Sequence, residues 1–191
     1  MLSAQAYSFR LKSRLAICLS WIAGYTNVII LVLCGETVSH MTGNTTRYGN
    51  AIGNALLGHA GAVVDIVYFV SLITLFLAGA VFSGFMTEGA RRGGHSSKYF
   101  LPISVEAILL SVLMLLMTRH PDVARDRRAL LLITGIAAFA MGLQNATITR
   151  ISGAVVRTTH LTGVVTDMGL ELVLLWHWYR DKSAAERAEQ R

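Results

Sequence analysis

Charged residues are scarce in this chain, and that scarcity indicates its broad class. Of its 191 residues only 15% are charged and 53% are hydrophobic, whereas an ordinary soluble domain carries about a quarter charged residues. A soluble domain of this size would also show alternating or amphipathic patterns in place of long apolar runs. The composition therefore excludes an ordinary soluble domain and indicates one integral membrane domain.

Cysteine is also rare, and the basic residues lack the arrangement typical of nucleic-acid binding. The two cysteines, Cys18 and Cys34, both fall inside the first apolar segment, which suits small buried hydrophobes and not a disulfide framework or metal site. The formal net charge is +6, but Lys and Arg stand in short clusters between apolar runs, with no interleaved aromatics. We therefore expect no nucleic-acid partner, and we interpret the basic clusters as membrane flanks.

Motifs of catalysis are absent as well. The sequence has no HExxH, no GxSxG and no phosphate-binding glycine loop. Two histidines, His40 and His160, would be too few ligands for a metal without a neighbouring Cys or carboxylate pair. We therefore expect a protein that is not an enzyme and holds no metal and no cofactor.

The apolar runs predict an all-α, polytopic transmembrane bundle of about six hydrophobic segments. Residues 15–34 form a first span of the length that a bilayer requires, and they run on past the core of a cleavable signal peptide. Further spans are predicted at 63–86, 99–118, 129–149 and 160–179. The segment 35–61 is polar and rich in glycine, so at membrane depth it must pack inside protein or line a cavity.

An internal repeat divides the chain into two related halves. GYTNVIILVLCG at 24–35 matches GLQNATITRISG at 142–153, and HMTGNTTRYG at 40–49 matches HLTGVVTDMG at 160–169. Shared Gly, Asn, His and Thr in register are hard to obtain by chance, whereas shared leucines would mean nothing in a membrane protein. Within a single membrane domain, 1–191, we predict a first repeat at about 15–86, a linking helix at about 99–118, a second repeat at about 129–180 and a polar tail at 181–191.

Duplicated membrane domains are typical of secondary transporters, whose sites form on interrupted, glycine-rich helices where the repeats meet. We therefore predict translocation of an unknown small solute through a polar site at the repeat interface. Its expected lining consists of Asn27, His40, Thr42, Gly43, Asn44, Asn145, His160, Thr162, Gly163 and Asp167. The alternative is a scaffold or assembly partner that uses small-residue faces to form a homo-oligomer, because the same Gly and Thr residues suit tight helix packing equally well.

The duplicated motifs also resemble a known family. GYTN followed by HMTGNT, and GLQNA followed by VRTTHLTG and TDMG, are similar to the DUF1275 (YoaK) family of bacterial membrane proteins. The resemblance implies a polytopic, transporter-like protein without an assigned substrate. It also implies a further C-terminal hydrophobic segment, so the second repeat is expected to lack its last helix.

Orientation in the membrane follows from the distribution of Lys and Arg. If every segment spans, 11 basic residues lie on the side of the N-terminus and 6 on the other; if the two TG-containing segments are re-entrant, the division is 12 against 5. The positive-inside rule therefore predicts that the N-terminus lies in the cytoplasm. The expected membrane is the plasma membrane, which is the inner membrane in a cell with two membranes. It leaves open whether the segments span, giving parallel repeats, or re-enter, giving inverted ones.

Three structural expectations follow. We expect 40–44 and 160–163 to approach each other near the axis between the repeats. Gly43 and Gly163 are expected at a close backbone approach or at a helix break, where a Cβ would clash. Among the ionisable residues of the spans, Asp167 is expected to pair with its repeat equivalent Arg47, unless both reach the water interface, while Glu106 lies about one-third of the way into its span.

Overall fold

Helices make up nearly all of the chain. The computed structural model describes residues 2–93, 99–119, 123–152 and 161–189, and these ranges contain no strand. The helices are α1 Leu2–Cys34, α2 Met41–Leu56, α3 Ala62–Arg92, α4 Phe100–Arg119, α5 Arg127–Ser152 and α6 Leu161–Glu189. The predicted all-α architecture is confirmed.

Four of these helices are long and apolar enough to cross a membrane. The spans are Ile17–Cys34 in α1, Ala62–Arg92 in α3, Phe100–Arg119 in α4 and Arg127–Ile151 in α5. The 16 residues of α2 extend about 24 Å, less than the hydrocarbon core of a bilayer. The chain is thus a multi-pass membrane protein by the character of its helices, and within the described residues four of the six predicted segments have spanning composition.

Several helices run past the limits that the apolar runs predict. α1 already begins at Leu2, α3 continues to Arg92, and α6 continues to Glu189 through most of the predicted polar tail. Apolar runs mark the part of a helix that is in lipid, whereas the hydrogen-bonded backbone continues into water wherever the residues tolerate it. Arg91 and Arg92 in the last turn of α3 also suit the negative end of its dipole.

The centre of the bundle is a backbone-to-backbone crossing of α3 and α5. An ideal Cβ on Gly142 would lie 1.9 Å from the carbonyl oxygen of Phe76, and one on Gly79 would lie 2.0 Å from that of Phe139. No side chain fits at such separations, so glycine is required at both positions. The crossing is reciprocal, because each helix places a glycine against the other helix's carbonyl.

Hydrogen bonds on either side of this crossing define the direction of the two helices. Tyr68 donates to Thr134 over 3.0 Å, and the hydroxyls of Ser83 and Thr147 lie 2.8 Å apart. Residue numbers therefore increase together, and α3 and α5 run parallel. Hydroxyl pairs of this kind satisfy buried polar groups that lipid would leave without partners.

Ion pairs show which helix ends lie together. Asp65 at the start of α3 pairs with Arg127 at the start of α5, and Glu36, just after α1, lies within electrostatic reach of both. α1 therefore ends where α3 and α5 begin. We call the end of the bundle where α1 begins the N-terminal end. The other end, where α1 ends and α3 and α5 begin, is called the opposite end.

The chain turns back into the bundle between α1 and α2. The side-chain oxygen of Asn27 accepts hydrogen bonds from the backbone N–H groups of Val38 and Ser39, at 3.0 and 3.1 Å. Asn27 lies seven residues before Cys34, or about 10 Å along the helix. α2 consequently begins inside the bundle and runs back to the opposite end, where Arg47 pairs with Glu36.

The last helix makes the corresponding return at the N-terminal end. α6 runs parallel to α3, because Gly169 lies against Ala80 near its start and Asp181 pairs with Arg92 near its end, at 2.9 Å. Asn145 of α5 donates to Thr166 of α6, about 10 Å along α5 before Ser152. α6 therefore also begins inside the bundle, and it contacts α2.

Candidate functional site

Two asparagines of the predicted site hold the return segment between α1 and α2. Asn44 is fully buried, donates to the Thr37 carbonyl over 2.9 Å and accepts from the Thr37 hydroxyl over 3.2 Å. Asn27 accepts from two backbone N–H groups of the same segment. Irregular backbone inside a membrane protein must find such partners. The two amides thus position the start of α2.

The remaining predicted residues of the first half surround the first turn of α2. His40 is the N-cap, makes no side-chain cap hydrogen bond and is exposed, as is Thr42. An ideal Cβ on Gly43 would lie 2.9 Å from Nδ1 of His40. The expected close approach at Gly43 is therefore to a side chain of its own turn, which can rotate away, and the approach to a neighbouring backbone occurs at Gly79 and Gly142.

In the second half the structure covers only part of the predicted set. Asn145 is half-buried and donates to Thr166, and Asp167 is half-buried on the next residue of α6. Thr162 and Gly163 belong to the first turn of α6, whose side chains lie outside the described part, and His160 lies outside the described residues altogether. The approach of 160–163 to 40–44 stays a prediction, while the helices that carry these motifs are in contact.

Arg47 takes a different partner from the one that the repeat predicts. Its guanidinium pairs with the Glu36 carboxylate and lies 6.0 Å from the centre of the Phe69 ring. Glu36 is close because the return segment brings the start of α2 back along α1. The pKa of the Glu36 carboxyl is raised, because its partial burial outweighs the opposing effect of the Arg47 charge. The predicted pairing of Arg47 with Asp167 is thus replaced by a local ion pair.

The sequence alone did not reveal the partner of Glu106, which lies in the interior of α4. Glu106 is 2% exposed and Gln144 of α5 is 1% exposed. The Gln144 amide donates to Oε1 of Glu106 over 2.5 Å, and Oε2 is buried without a hydrogen-bond partner in the described part of the chain. Gln144 belongs to the GLQNA motif, but no pattern in the sequence links it to Glu106, which lies 38 positions away.

A polar cleft of about 440 Å³ opens at the N-terminal end. Its lining combines charged and aliphatic side chains: Thr87, Glu88, Arg91, Tyr99, Arg150, Leu170, Glu171 and Leu174. Arg91 and Arg92 both donate to the Glu88 carboxylate over 2.9 Å. The Tyr99 hydroxyl donates to the carbonyl oxygen of Arg150 over 3.2 Å and joins the start of α4 to the end of α5.

A family model matches most of the chain. The family is DUF1275, proteins of unknown function, and the match extends over residues 15–191. The chain belongs to DUF1275. The matched region includes all four spanning helices and both return helices. Among curated proteins and solved structures there is no significant match.

One buried histidine of this DUF1275 chain was not predicted from the sequence. His177 of α6 is 5% exposed, and neither ring nitrogen has a hydrogen-bond partner in the ranges that the structure covers. Its ring packs 4.8 Å from that of Trp176 and 6.1 Å from that of Phe85, centre to centre. The described residues hold no group of three or more His, Cys, Asp or Glu side chains suited to a metal ion.

Proposed function

We propose that this protein translocates a small polar solute across a membrane. The observation that carries the proposal is the pair of return helices: α2 and α6 each begin inside the bundle, leave it at opposite ends and contact each other. Interrupted helices that begin at membrane depth are the elements on which secondary transporters build their sites. A bundle that served only to anchor the chain would not need them.

The repeated motifs support an inverted arrangement of two halves. GYTN lies on α1 and GLQNA on α5, which run in opposite directions. Asn27 accepts hydrogen bonds from the return segment after α1, and Asn145 donates to Thr166 of the return helix α6. Related halves of opposite direction are the inverted-topology repeats of many transporters. Under this proposal α1 corresponds to α5 and α2 to α6.

The ends of the return helices suggest the chemistry of the solute. The first turn of a helix presents unpaired N–H groups and a partial positive charge, which favour an anionic or carbonyl oxygen. His40 and Thr42 at the start of α2 leave their polar groups exposed. We propose that the solute carries a carboxylate or a similar oxygen group and binds between 40–44 and 160–167.

Orientation follows from the same arrangement. If both return helices are re-entrant, the sequence assigns 12 of its 17 basic residues to the side of the N-terminus. The positive-inside rule then supports a cytoplasmic N-terminal end. On this proposal the polar cleft at Tyr99 and Arg150 faces the cytoplasm.

Uptake into vesicles tests the proposed function. The purified chain is reconstituted into liposomes and offered radiolabelled amino acids, mono- and dicarboxylates and sugars, with protein-free liposomes as the baseline. Thr42→Trp should block the start of α2, whereas Ile52→Trp, an exposed position further along the same helix, serves as the matched control. Flux no higher than that of protein-free liposomes for every class, or equal flux in both variants, contradicts the proposal.

The alternative of a scaffold has one specific observation in its favour. The outer face of α1 exposes the stacked rings of Trp21 and Tyr25, whose centres lie 6.1 Å apart, and Gly24 between them has open space above it. Such a face suits packing against a second helix in the membrane. A scaffold would form a homo-oligomer in lipid, detected by single-molecule counting of a fluorescent label, and would give no solute flux.

A further inference from the structure

We propose that Glu106 is a proton-binding site, whose carboxyl takes up and releases a proton through the cleft at the N-terminal end. The proposal deepens the proposed function, because it names the proton as the coupling ion. It requires no bound solute, so it can be tested separately. The proposal rests on the burial of Glu106, on the hydrogen bond that Glu106 accepts from Gln144 and on the position of the cleft.

Burial sets the protonation of the group in this conformation. A carboxylate in a membrane interior is costly unless a cation compensates it, and otherwise it takes up a proton. Glu106 is 2% exposed, and its one hydrogen bond in the described part comes from the neutral amide of Gln144. Oε2 is the atom left for the proton, because Oε1 already accepts from that amide.

Among the residues that the structure describes, no cationic side chain pairs with Glu106. The helices packed against α4 are α3 and α5. The charged residues of these three helices lie near their ends: Asp65, Glu88, Arg91 and Arg92 on α3, Arg119 on α4, and Arg127, Arg128 and Arg150 on α5. A neutral, protonated Glu106 follows.

The cleft is the place where, on this proposal, the proton enters from water. Tyr99 and Glu106 are seven residues apart, so they lie on one side of α4 about 10 Å from each other along the axis. Gln144 and Arg150 are separated by about 9 Å on α5. Since Tyr99 and Arg150 both line the cleft, the Glu106–Gln144 pair lies about two helical turns inward from it.

The donor set favours a proton over a metal cation. Ca²⁺ takes six to eight oxygen ligands and Mg²⁺ about six. The site offers one carboxylate, and its neighbouring amide presents nitrogen to it. The step is balanced: carboxylate oxygen and hydronium give the carboxyl O–H and water, and release is the reverse, with no change of oxidation state.

Infrared difference spectroscopy tests this site in the full chain reconstituted into lipid nanodiscs. Spectra are recorded from about pH 5 to about pH 10, in H₂O and D₂O, for the wild type, Glu106→Gln and Glu171→Gln. We expect a protonated-carboxyl C=O band that disappears as the pH rises and shifts in D₂O. It should be lost in Glu106→Gln and kept in Glu171→Gln, which removes an exposed carboxyl of the cleft.

Two results overturn the proposal: a band that stays constant at every pH, which means a locked structural carboxyl, or no band that depends on Glu106. If Glu106→Gln does not fold, Glu106→Asp retains a carboxyl but moves it away from Gln144, and it should shift the titration midpoint by about one pH unit. An unchanged midpoint would overturn the assignment.

Coupling is tested on any solute that the flux assay finds. An imposed pH gradient should then drive accumulation by the wild type and not by Glu106→Gln, while exchange without a gradient continues. Equal accumulation by both proteins refutes coupling through Glu106. A protein without flux refutes the proposed function and leaves the infrared test to decide the proton site alone.

Discussion

The predicted internal repeat aligns Gly24 with Gly142, but the surroundings of these two glycines predict opposite responses to one added methyl group. An ideal Cβ on Gly142 would lie 1.9 Å from the carbonyl oxygen of Phe76, whereas nothing lies within 4 Å of one on Gly24. Gly142→Ala and Gly24→Ala are therefore a matched pair of variants, because each adds one methyl group to a glycine within a helix. The first should destabilise the protein and the second should not.

The geometry gives the size of the effect. A carbon atom and a carbonyl oxygen approach to about 3.3 Å, so α3 and α5 must separate by roughly 1.4 Å at Gly142. A shift of that size would break the Tyr68–Thr134 and Ser83–Thr147 hydrogen bonds, each worth about 1 kcal/mol. Overpacking itself adds about 1–3 kcal/mol. We expect Gly142→Ala to lower the free energy of unfolding by about 3–5 kcal/mol.

For Gly24→Ala the expected change has the other sign. Alanine in a helix interior is favoured over glycine by up to about 1 kcal/mol, and no contact opposes it at this position. For a chain of this length 1 kcal/mol corresponds to about 2–4 °C in Tm. Thermal unfolding of the two variants in detergent micelles, followed by tryptophan fluorescence, measures the difference. Equal Tm values would refute the backbone-to-backbone crossing.

Three further predictions concern the return segment, the Glu36 carboxyl and the topology. Asn27→Ala leaves two backbone N–H groups without their acceptor and should lower the free energy of unfolding by about 1–3 kcal/mol. Thermal unfolding measures the loss, with Asn54→Ala on α2 as the control. A loss no greater than that of the control contradicts the role of the Asn27 amide. The raised pKa of Glu36 means that the folded state binds more protons than the unfolded one, so this residue's contribution to stability should fall as the pH rises from about 4 through the folded-state pKa. A profile of Tm against pH should show this decline for the wild type and not for Glu36→Gln. Identical profiles for the two proteins would contradict the raised pKa of Glu36. Leu57→Cys and Lys182→Cys, in a background without native cysteines, should react with an impermeant maleimide from opposite sides of the membrane, because α2 and α6 leave the bundle at opposite ends; labelling from one side would disprove the re-entrant arrangement.

The predicted and observed structures agree where the signal is local. The apolar run at 99–118 predicts α4 to within a residue or two, because helix formation in lipid depends mainly on the length and composition of the segment itself. The polar segment 35–61 was expected to pack inside protein or to line a cavity if it lies at membrane depth. The structure buries Asn44 and supplies hydrogen-bond partners through Asn27 and Asn44, while much of α2 stays exposed. The sequence did not predict the course of this segment, because the backbone of a glycine-rich segment can form its hydrogen bonds in several conformations.

The candidate site was less predictable than the fold. The motif alignment placed Arg47 opposite Asp167, but Arg47 pairs with Glu36 of the adjoining return segment. Glu106 was recognised as an ionisable residue within a span, while its partner Gln144 lies 38 positions away on another helix. Pairings at such distances depend on the rotation and depth of each helix, which composition does not specify.

The sequence by itself determined that this is an all-helical membrane protein, that its motifs recur in two places and that it resembles DUF1275, since each of these depends on the order of residues alone. Only the tertiary structure decided that α2 and α6 turn back from opposite ends, that Gly142 is enclosed while Gly24 is open, and that Glu106 meets Gln144. The physical reason is that lipid solvates every apolar face of a helix equally well, so composition does not determine which face contacts another helix. Close packing and hydrogen bonds between particular helices therefore select one arrangement, and those contacts exist only once the chain is folded.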